Sequence, residues 1–132
     1  MFGNQRQAQA AARDQLQDLE GKMAAIGRSQ AVIEFNLDGT IIDANENFLT
    51  TMGYDLDEIR GTHHRAFMDP DEARQPGYAA FWAELNRGQF AAGKFRRLAK
   101  GGREVWLQAS DNPVFVDGRP CRVVKLAVDI TE

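Results

Sequence analysis

The sequence contains a single cysteine, Cys121, among 132 residues. One cysteine cannot form an intrachain disulfide, and it has no cysteine partner with which to build a zinc site. An excess of basic residues is also missing, because 16 Lys and Arg are set against 19 Asp and Glu and the formal net charge is -3. Since a nucleic-acid-binding face normally needs a basic excess, we do not expect nucleic acid as a partner.

Long apolar runs are absent too, and no stretch approaches the roughly 20 apolar residues that a membrane-spanning helix needs. The first residues, MFGNQRQAQAAARDQ, are polar and lack the apolar segment of a secretory signal. These two absences predict a cytoplasmic protein with no membrane span. Signatures of catalysis are also missing. The sequence has no nucleophile with its base, no phosphate-binding loop and no metal-ligand set, so we do not expect an enzyme.

Residues 1–28 differ in composition from the rest of the chain. Gln, Ala, Arg, Asp and Glu dominate them, and neither proline nor any β-branched residue precedes Ile26, a composition that predicts a helix. Apolar residues recur along it at spacings of three and four, as in the contact seam of a coiled coil. We expect a homodimer through this helix; the alternative is that the stripe packs against the chain's own domain. The seam consists of Ala12, Leu16, Leu19, Met23 and Ile26.

Residues 29–132 form the predicted folded domain and show the apolar pattern and turn residues of a sheet interrupted by short helices. Asp38-Gly39 between two β-rich runs predicts a hairpin, because glycine accepts a positive φ. The pattern predicts an α+β fold, in which a five-stranded antiparallel sheet is covered on one face by short helices and preceded by the amphipathic helix. Predicted strands span residues 31–35, 40–44, 90–99, 103–115 and 121–129, and predicted helices span 45–52, 55–60 and 77–86, with His63 and His64 in a helical turn closed by Asp69-Pro70.

Several short runs follow one another in a fixed order along this second region. They are IEFNLDGTI (33–41), ANENF (44–48), MGY (52–54), DEIRG (57–61), FWAELNRG (81–88), KGGREVW (100–106) and VDIT (128–131). No single run is decisive, but their order and spacing resemble those of a PAS domain. The resemblance extends to the amino-terminal PAS modules of soluble bacterial methyl-accepting chemotaxis proteins, of the aerotaxis and biofilm-dispersion type.

This resemblance implies a sensory and dimerisation module of a bacterial chemotaxis signal transducer. Such a module relays a ligand, redox or gas state through its flanking helices to a downstream signalling domain. Residues 129–132 are similar to the point where a PAS domain joins a following helix. The alternatives left open are the input PAS domain of a histidine kinase or of a cyclic-di-nucleotide enzyme, and a dimerisation module without a cofactor.

The resemblance also implies a ligand held between sheet and helices. The two histidines, His63 and His64, are the candidate heme ligands, since histidine is the commonest axial ligand. Adjacent helical residues point about 100° apart, so at most one of them reaches a given iron. The cofactor stays open: heme ranks first and FAD second, and a domain with no cofactor ranks beside either. A light-sensing flavin bound through cysteine is excluded, because residues 62–67 contain no cysteine.

Other interpretations of the histidines remain. They could sense pH, since an unperturbed histidine titrates near about 6.5, or one could be buried with a hydrogen bond and the other exposed, with no chemistry at either. The further candidates for cofactor contact are polar or large side chains. They are Asn45, Met52, Phe67, Trp82 and Trp106, with helix capping as the alternative for Asn45 and Asn47, and core or interface packing as the alternative for the two tryptophans.

One position departs from the PAS relatives, which usually carry tyrosine where this chain has Asp111. Alternation along the predicted strand places Val105, Leu107 and Ala109 on one face. A carboxylate buried unpaired in this strand would cost several kcal/mol. We therefore expect Asp111 to face solvent or a subunit partner, or to be an engineered substitution.

Overall fold

The computed structural model of the chain describes residues 2–132. It begins with a long helix, α1 (Phe2–Ser29), as the composition of residues 1–28 predicts, although Met1 lies outside the described residues. Among the residues described, no helix combines the length and the apolar character that a membrane crossing requires.

Five strands form one antiparallel sheet, which confirms the predicted architecture. They are β1 (Ala31–Asn36), β2 (Ile41–Ala44), β3 (Ala91–Leu98), β4 (Glu104–Val116) and β5 (Arg119–Asp129). Their spatial order is β2-β1-β5-β4-β3, so the last strand of the chain lies at the centre of the sheet and β2 and β3 form its edges.

Short helices connect β2 to β3 and complete the core on one face of the sheet. They are α2 (Glu46–Met52), α3 (Leu56–Ile59), a 3-10 helix (His64–Phe67), α4 (Pro70–Ala73) and α5 (Pro76–Asn86). The sequence does not predict α4, because Asp69-Pro70 was expected only to close the preceding turn. Instead Pro70 starts α4, where its missing N–H is no loss, and the Asp69 carboxylate accepts a hydrogen bond from the N–H of Asp71 at 2.8 Å.

The core lies between the sheet and these helices. Val105, Leu107 and Ala109 of β4 are buried on the inner face, as the alternation predicts, and Trp106 lies on the outer face. Strands and helices contribute to a single apolar cluster. Its large members include Ile33, Phe35, Ile41, Phe48, Met52, Ile59, Phe67, Trp82, Leu85 and Leu107.

The turn between β1 and β2 holds the histidine segment against the sheet. The N–H of His64 donates to the carbonyl of Gly39 at 2.8 Å, and the Nε2 of His63 lies 2.8 Å from the carbonyl oxygen of Asp38. Gly39 has a φ of 90°, and a Cβ at this position would overlap the imidazole of His63. Glycine is therefore required at this position for two reasons, namely the positive φ of the turn and the close approach of His63.

Replacing Gly39 with alanine is expected to destabilise the protein more than the same change at Gly61. Both glycines have positive φ, 90° and 84°, so each variant takes up backbone strain of about 1–2 kcal/mol. Among the described residues no neighbouring atom lies within 4 Å of a Cβ at Gly61. Gly39→Ala also displaces His63 and its hydrogen bond, which adds about 1 kcal/mol. Urea unfolding measures both variants, and equal free energies of unfolding would contradict the close contact.

Candidate functional site

The sheet and the helices enclose a small interior cavity. About 200 Å³ of it is not filled by atoms, but within the described part of the chain none of this space is wide enough for a water molecule. Three nitrogen-bearing side chains reach it from different elements: His64 from the 3-10 helix, Arg97 from β3 and Lys125 from β5. The apolar lining consists of Ile33, Phe35, Phe48, Met52, Phe67 and Leu107.

His64 is the histidine that faces this cavity, and only 1% of it is exposed. Its Nδ1 lies 2.8 Å from the hydroxyl of Tyr78 on α5, and the two rings stack with centroids 5.6 Å apart. Its Nε2 has no hydrogen-bond partner among residues 2–132. Burial, together with the positive charges of Lys125 and Arg97, holds the pKa of His64 well below its usual 6.5, so the imidazole is neutral at neutral pH.

His63 has a structural role instead. It precedes the 3-10 helix and caps it, because its Nδ1 accepts a hydrogen bond from the N–H of Arg65 at 3.1 Å. With Nδ1 accepting, Nε2 carries the ring proton and donates it to the carbonyl of Asp38. Both ring nitrogens of His63 are engaged outside the cavity, so of the two histidine candidates only His64 reaches the interior.

The expectation that Asp111 faces solvent or a subunit partner is wrong, because only 1% of it is exposed. Asp111 continues the inward row of β4 after Ala109 and lies directly opposite Lys125 on β5. Its Oδ1 is 3.6 Å from the Nζ of Lys125, and both side chains are buried. The carboxylate therefore has a cationic partner inside the core, which offsets part of the cost of burying its charge.

Two cations accompany this one carboxylate. The buried Arg97 donates from Nη1 to the carbonyl of Arg96 at 2.8 Å, and its Nε has no partner in residues 2–132. Lys125 and Arg97 both lie over the ring of Phe95, at 5.6 and 5.0 Å from its centroid. Burial lowers the pKa of Lys125 to about 8, against the opposing effect of Asp111, and burial also lowers the pKa of Arg97. Two buried basic side chains thus accompany a single buried carboxylate.

The remaining cofactor candidates divide between the cavity and other places. Met52 and Phe67 line the cavity, and Trp82 packs edge-on against His64 with ring centroids 5.5 Å apart. Trp106 is 39% exposed on the outer face of the sheet. Its predicted place in a cofactor pocket is wrong, because neighbouring residues of a strand point to opposite faces.

Asn45, which was also expected to contact a cofactor, instead caps α2 and joins α1 to the sheet. Its Oδ1 accepts hydrogen bonds from the N–H of Phe48 at 3.0 Å and from the N–H of Val32 at 2.9 Å. Its Nδ2 donates to the carbonyl of Gly27 in α1 at 3.2 Å, and the Nδ2 of Asn47 donates to the same carbonyl at 2.6 Å. We call Asn45 and Asn47 the asparagine joint, because they hold the carboxyl end of α1 on the folded core.

The cavity residues do not fit a heme or a flavin. His64 offers a buried, unpartnered Nε2 of the kind that coordinates heme iron. The space beside it, within residues 2–132, contains no gap wide enough for a water molecule, whereas ordinary small-molecule pockets measure ~300–1,000 Å³. No group of three or more His, Cys, Asp and Glu able to hold a metal ion occurs in the described chain. The packed side chains leave no room for either prosthetic group.

Sequence reasoning missed three polar residues of this site, namely Tyr78, Arg97 and Lys125. Lys125 could have been found, because it alternates with the apolar Val123 and Ala127, and every second residue of a strand shares a face. Arg97 and Tyr78 carry no comparable signal. An arginine in an edge strand and a tyrosine in a helix are ordinary residues of a protein surface.

The order of the sheet and the helices over its inner face agree with a known class of sensor domain. A family model described as PAS fold matches residues 41–127, and the chain therefore belongs to the PAS family. The fold is similar to the crystal structure of the PAS domain of a protein from Colwellia psychrerythraea, with a TM-score of 0.73 and 23% identity. That match covers 86% of this chain and 97% of the other, and at this identity it shows the fold alone.

Two longer proteins show a more specific sequence similarity to this chain. The chain is 46% identical over 116 residues to the biofilm dispersion protein BdlA of Pseudomonas aeruginosa, a match that covers 87% of this chain and 28% of BdlA. It is 29% identical over 84 residues to the aerotaxis receptor of Escherichia coli, which covers 64% of this chain and 16% of the receptor. The chain thus spans less than a third of the length of either relative.

The buried imidazole should make stability fall at acid pH. Folded His64 resists protonation, whereas in the unfolded chain it binds a proton below about pH 6.5. The unfolded state then holds the extra proton, so the free energy of unfolding decreases as the pH drops below about 6.5, by up to about 1.4 kcal/mol per pH unit. Urea unfolding across this range measures the slope.

His64→Phe is the control, since it keeps a ring in the site and removes the titrating group. This variant should show a shallower decrease in stability toward acid pH than the unmodified protein. Identical slopes for the two proteins would contradict a neutral, buried His64.

Proposed function

We propose that this chain is the sensory PAS module of a bacterial chemotaxis signal transducer, placed in the cytoplasm and joined to a downstream signalling domain. Support comes from its relatives, which include a biofilm dispersion protein and an aerotaxis receptor. In this module the core responds to the state of the interior, and α1 passes the response to a second copy. An input domain of a histidine kinase or of a cyclic-di-nucleotide enzyme would use the same parts, and the two relatives favour the chemotaxis transducer.

The exposed apolar stripe of α1 carries this proposal. Leu16, Leu19 and Met23 are 55%, 58% and 45% exposed, and Ile26 at the base of the stripe is also exposed. Every side chain from residue 3 to residue 26 is exposed, which favours a contact with a second copy over packing of the stripe on its own domain. Spacings of three and four suit a parallel pairing of the helix with itself, which would bury these side chains.

The asparagine joint supplies a path between the interior and this helix. Phe48 and Met52 on α2 line the cavity, and α2 begins at Asn45, whose side chain bonds α1. A change in packing around the cavity would shift the start of α2, and with it the carbonyl of Gly27 that Asn45 and Asn47 hold. A helix moves largely as a rigid body, so the shift would reach the dimer contact.

The narrow cavity favours a second function, a dimerisation module that works without heme or flavin. Its gaps total about 200 Å³ and are lined by packed aromatic and charged side chains. Both functions use the same contact through α1. They differ in whether the interior takes a ligand.

Sedimentation analysis of the full chain and of residues 29–132 tests the dimer. We expect the full chain to sediment as a dimer and the truncated chain as a monomer at the same concentration, because truncation removes the whole apolar stripe. A full chain that stays monomeric would rule out α1 as the contact.

Two point variants of the full chain serve as a matched pair in the same experiment. Leu19→Glu should give a monomer, because it places a charge in the apolar seam. Gln17→Glu, on the opposite side of the helix, should leave the dimer intact. Equal masses for the two variants would argue against this stripe as the dimer contact.

A further inference from the structure

Unbalanced positive charge in the interior points to a ligand. Lys125 and Arg97 bring two positive charges, Asp111 supplies one negative charge, and His64 is neutral. All four residues are more than nine-tenths buried. A net charge inside a core is costly without a partner, and an anion beside the two cations would provide one.

Polar atoms of the same cluster also lack partners. The Nε2 of His64, the Nε of Arg97 and the Oδ2 of Asp111 are buried without a hydrogen-bond partner in the range 2–132. Only His64 and Arg97 of these three residues line the cavity. Buried polar groups are normally satisfied, so their two open nitrogen atoms call for a physical reason. Perturbed ionisable groups that converge on one cavity are typical of a binding site.

We propose that the cavity binds a small aliphatic carboxylate, held by Lys125 and Arg97 with its carbon chain against Met52, Phe67 and Leu107. The planar guanidinium of arginine matches the two oxygens of a carboxylate. The apolar walls suit a short alkyl tail, since ligand sites combine a few charged groups with apolar surface. This inference rests on the proposed function and deepens it by naming the class of ligand that the module reports.

The size of the cavity limits the ligand to a few heavy atoms. As packed within the described chain, this space of about 200 Å³ does not admit even a water molecule, so acetate or propionate enters only when a side chain of the wall moves. Met52 lies on the wall and has an unbranched side chain that changes rotamer readily, so it is the residue that yields to the ligand.

Asp111 competes with the ligand for Lys125. Its Oδ1 lies 3.6 Å from the Nζ of Lys125, which is an ion pair longer than a good hydrogen bond. A ligand carboxylate that approaches more closely takes over part of this interaction. Asp111 and Lys125 face each other on β4 and β5, so a ligand that replaces Asp111 as the partner of Lys125 changes a contact between these two strands.

Titration calorimetry of the full chain with sodium acetate and sodium propionate tests the proposal, with chloride as the balancing anion at constant ionic strength. We expect saturable binding of one carboxylate per chain. Propionate should bind about fourfold more tightly than acetate, because it buries one more methylene group. Chloride alone should give no saturable signal.

Proton uptake gives an independent signature. A carboxylate beside Lys125 favours the protonated amine, and burial lowers the pKa of this lysine to about 8 in the ligand-free protein. Binding near pH 8 should therefore take up as much as about half a proton per chain. Titrations in buffers of different ionisation enthalpy measure this uptake.

Variants assign the site to particular residues. Arg97→Gln should weaken propionate binding by at least about tenfold, whereas Arg96→Gln, which removes the neighbouring surface cation, should not change it. Asp111→Asn removes the competitor and should tighten binding about tenfold. The double variant Asp111→Asn/Lys125→Met removes one negative and one positive charge together, so the net charge of the core is unchanged, and it should fold and lose binding.

The proposal is overturned by any of three results: no saturable binding, binding that survives in both Arg97→Gln and the double variant, or an equal response to chloride. Leu19→Glu separates this test from that of the dimer. This monomeric variant should bind propionate as the unmodified chain does, so a failed dimer and a failed carboxylate site give different results.

Discussion

The ion pair between Asp111 and Lys125, held inside a mainly apolar core, is the constraint on which the rest of this structure depends. Removing two charges from water costs several kcal/mol for each, and close pairing must offset that penalty. The register of β4 and β5 provides the pairing by setting the two residues opposite each other. Arg97 and the ring of Phe95 close around the lysine and fill the space between sheet and helices. Within residues 2–132 the interior is therefore packed too tightly to hold a heme or a flavin.

Two local devices connect this interior to the outside of the domain. The turn at Gly39 holds the backbone of His64, so that one histidine enters the core while the other caps the 3-10 helix from outside. The asparagine joint fixes the carboxyl end of α1 to the start of α2, whose side chains line the cavity. Hydrogen bonds of two side chains thereby join the end of α1 to the helix whose residues line the cavity, an arrangement suited to a relay module.

Most of the fold follows from local sequence signals, and most of the site does not. The hairpin at Asp38-Gly39 and the alternation of β4 depend on neighbouring residues, and each lies where the sequence predicts. The surroundings of Asp111 depend on strand register, which brings Lys125 opposite it from the next strand. Alternation along β4 predicts that Asp111 points inward, whereas the penalty of an unpaired carboxylate argues against it, and only the strand register supplies the partner. The size of Trp106 favours a cofactor contact, whereas its position in β4 directs it outward.

The absorbance spectrum of the purified chain tests most directly whether the interior is filled and charged. The chain is incubated with heme and, separately, with FAD, and unbound compound is removed by gel filtration before the spectrum is recorded. Packing of His64, Arg97 and Lys125 around the narrow gaps predicts a protein fraction with neither a Soret band nor a flavin band. A Soret band at one heme per chain that is lost in His64→Ala would contradict it.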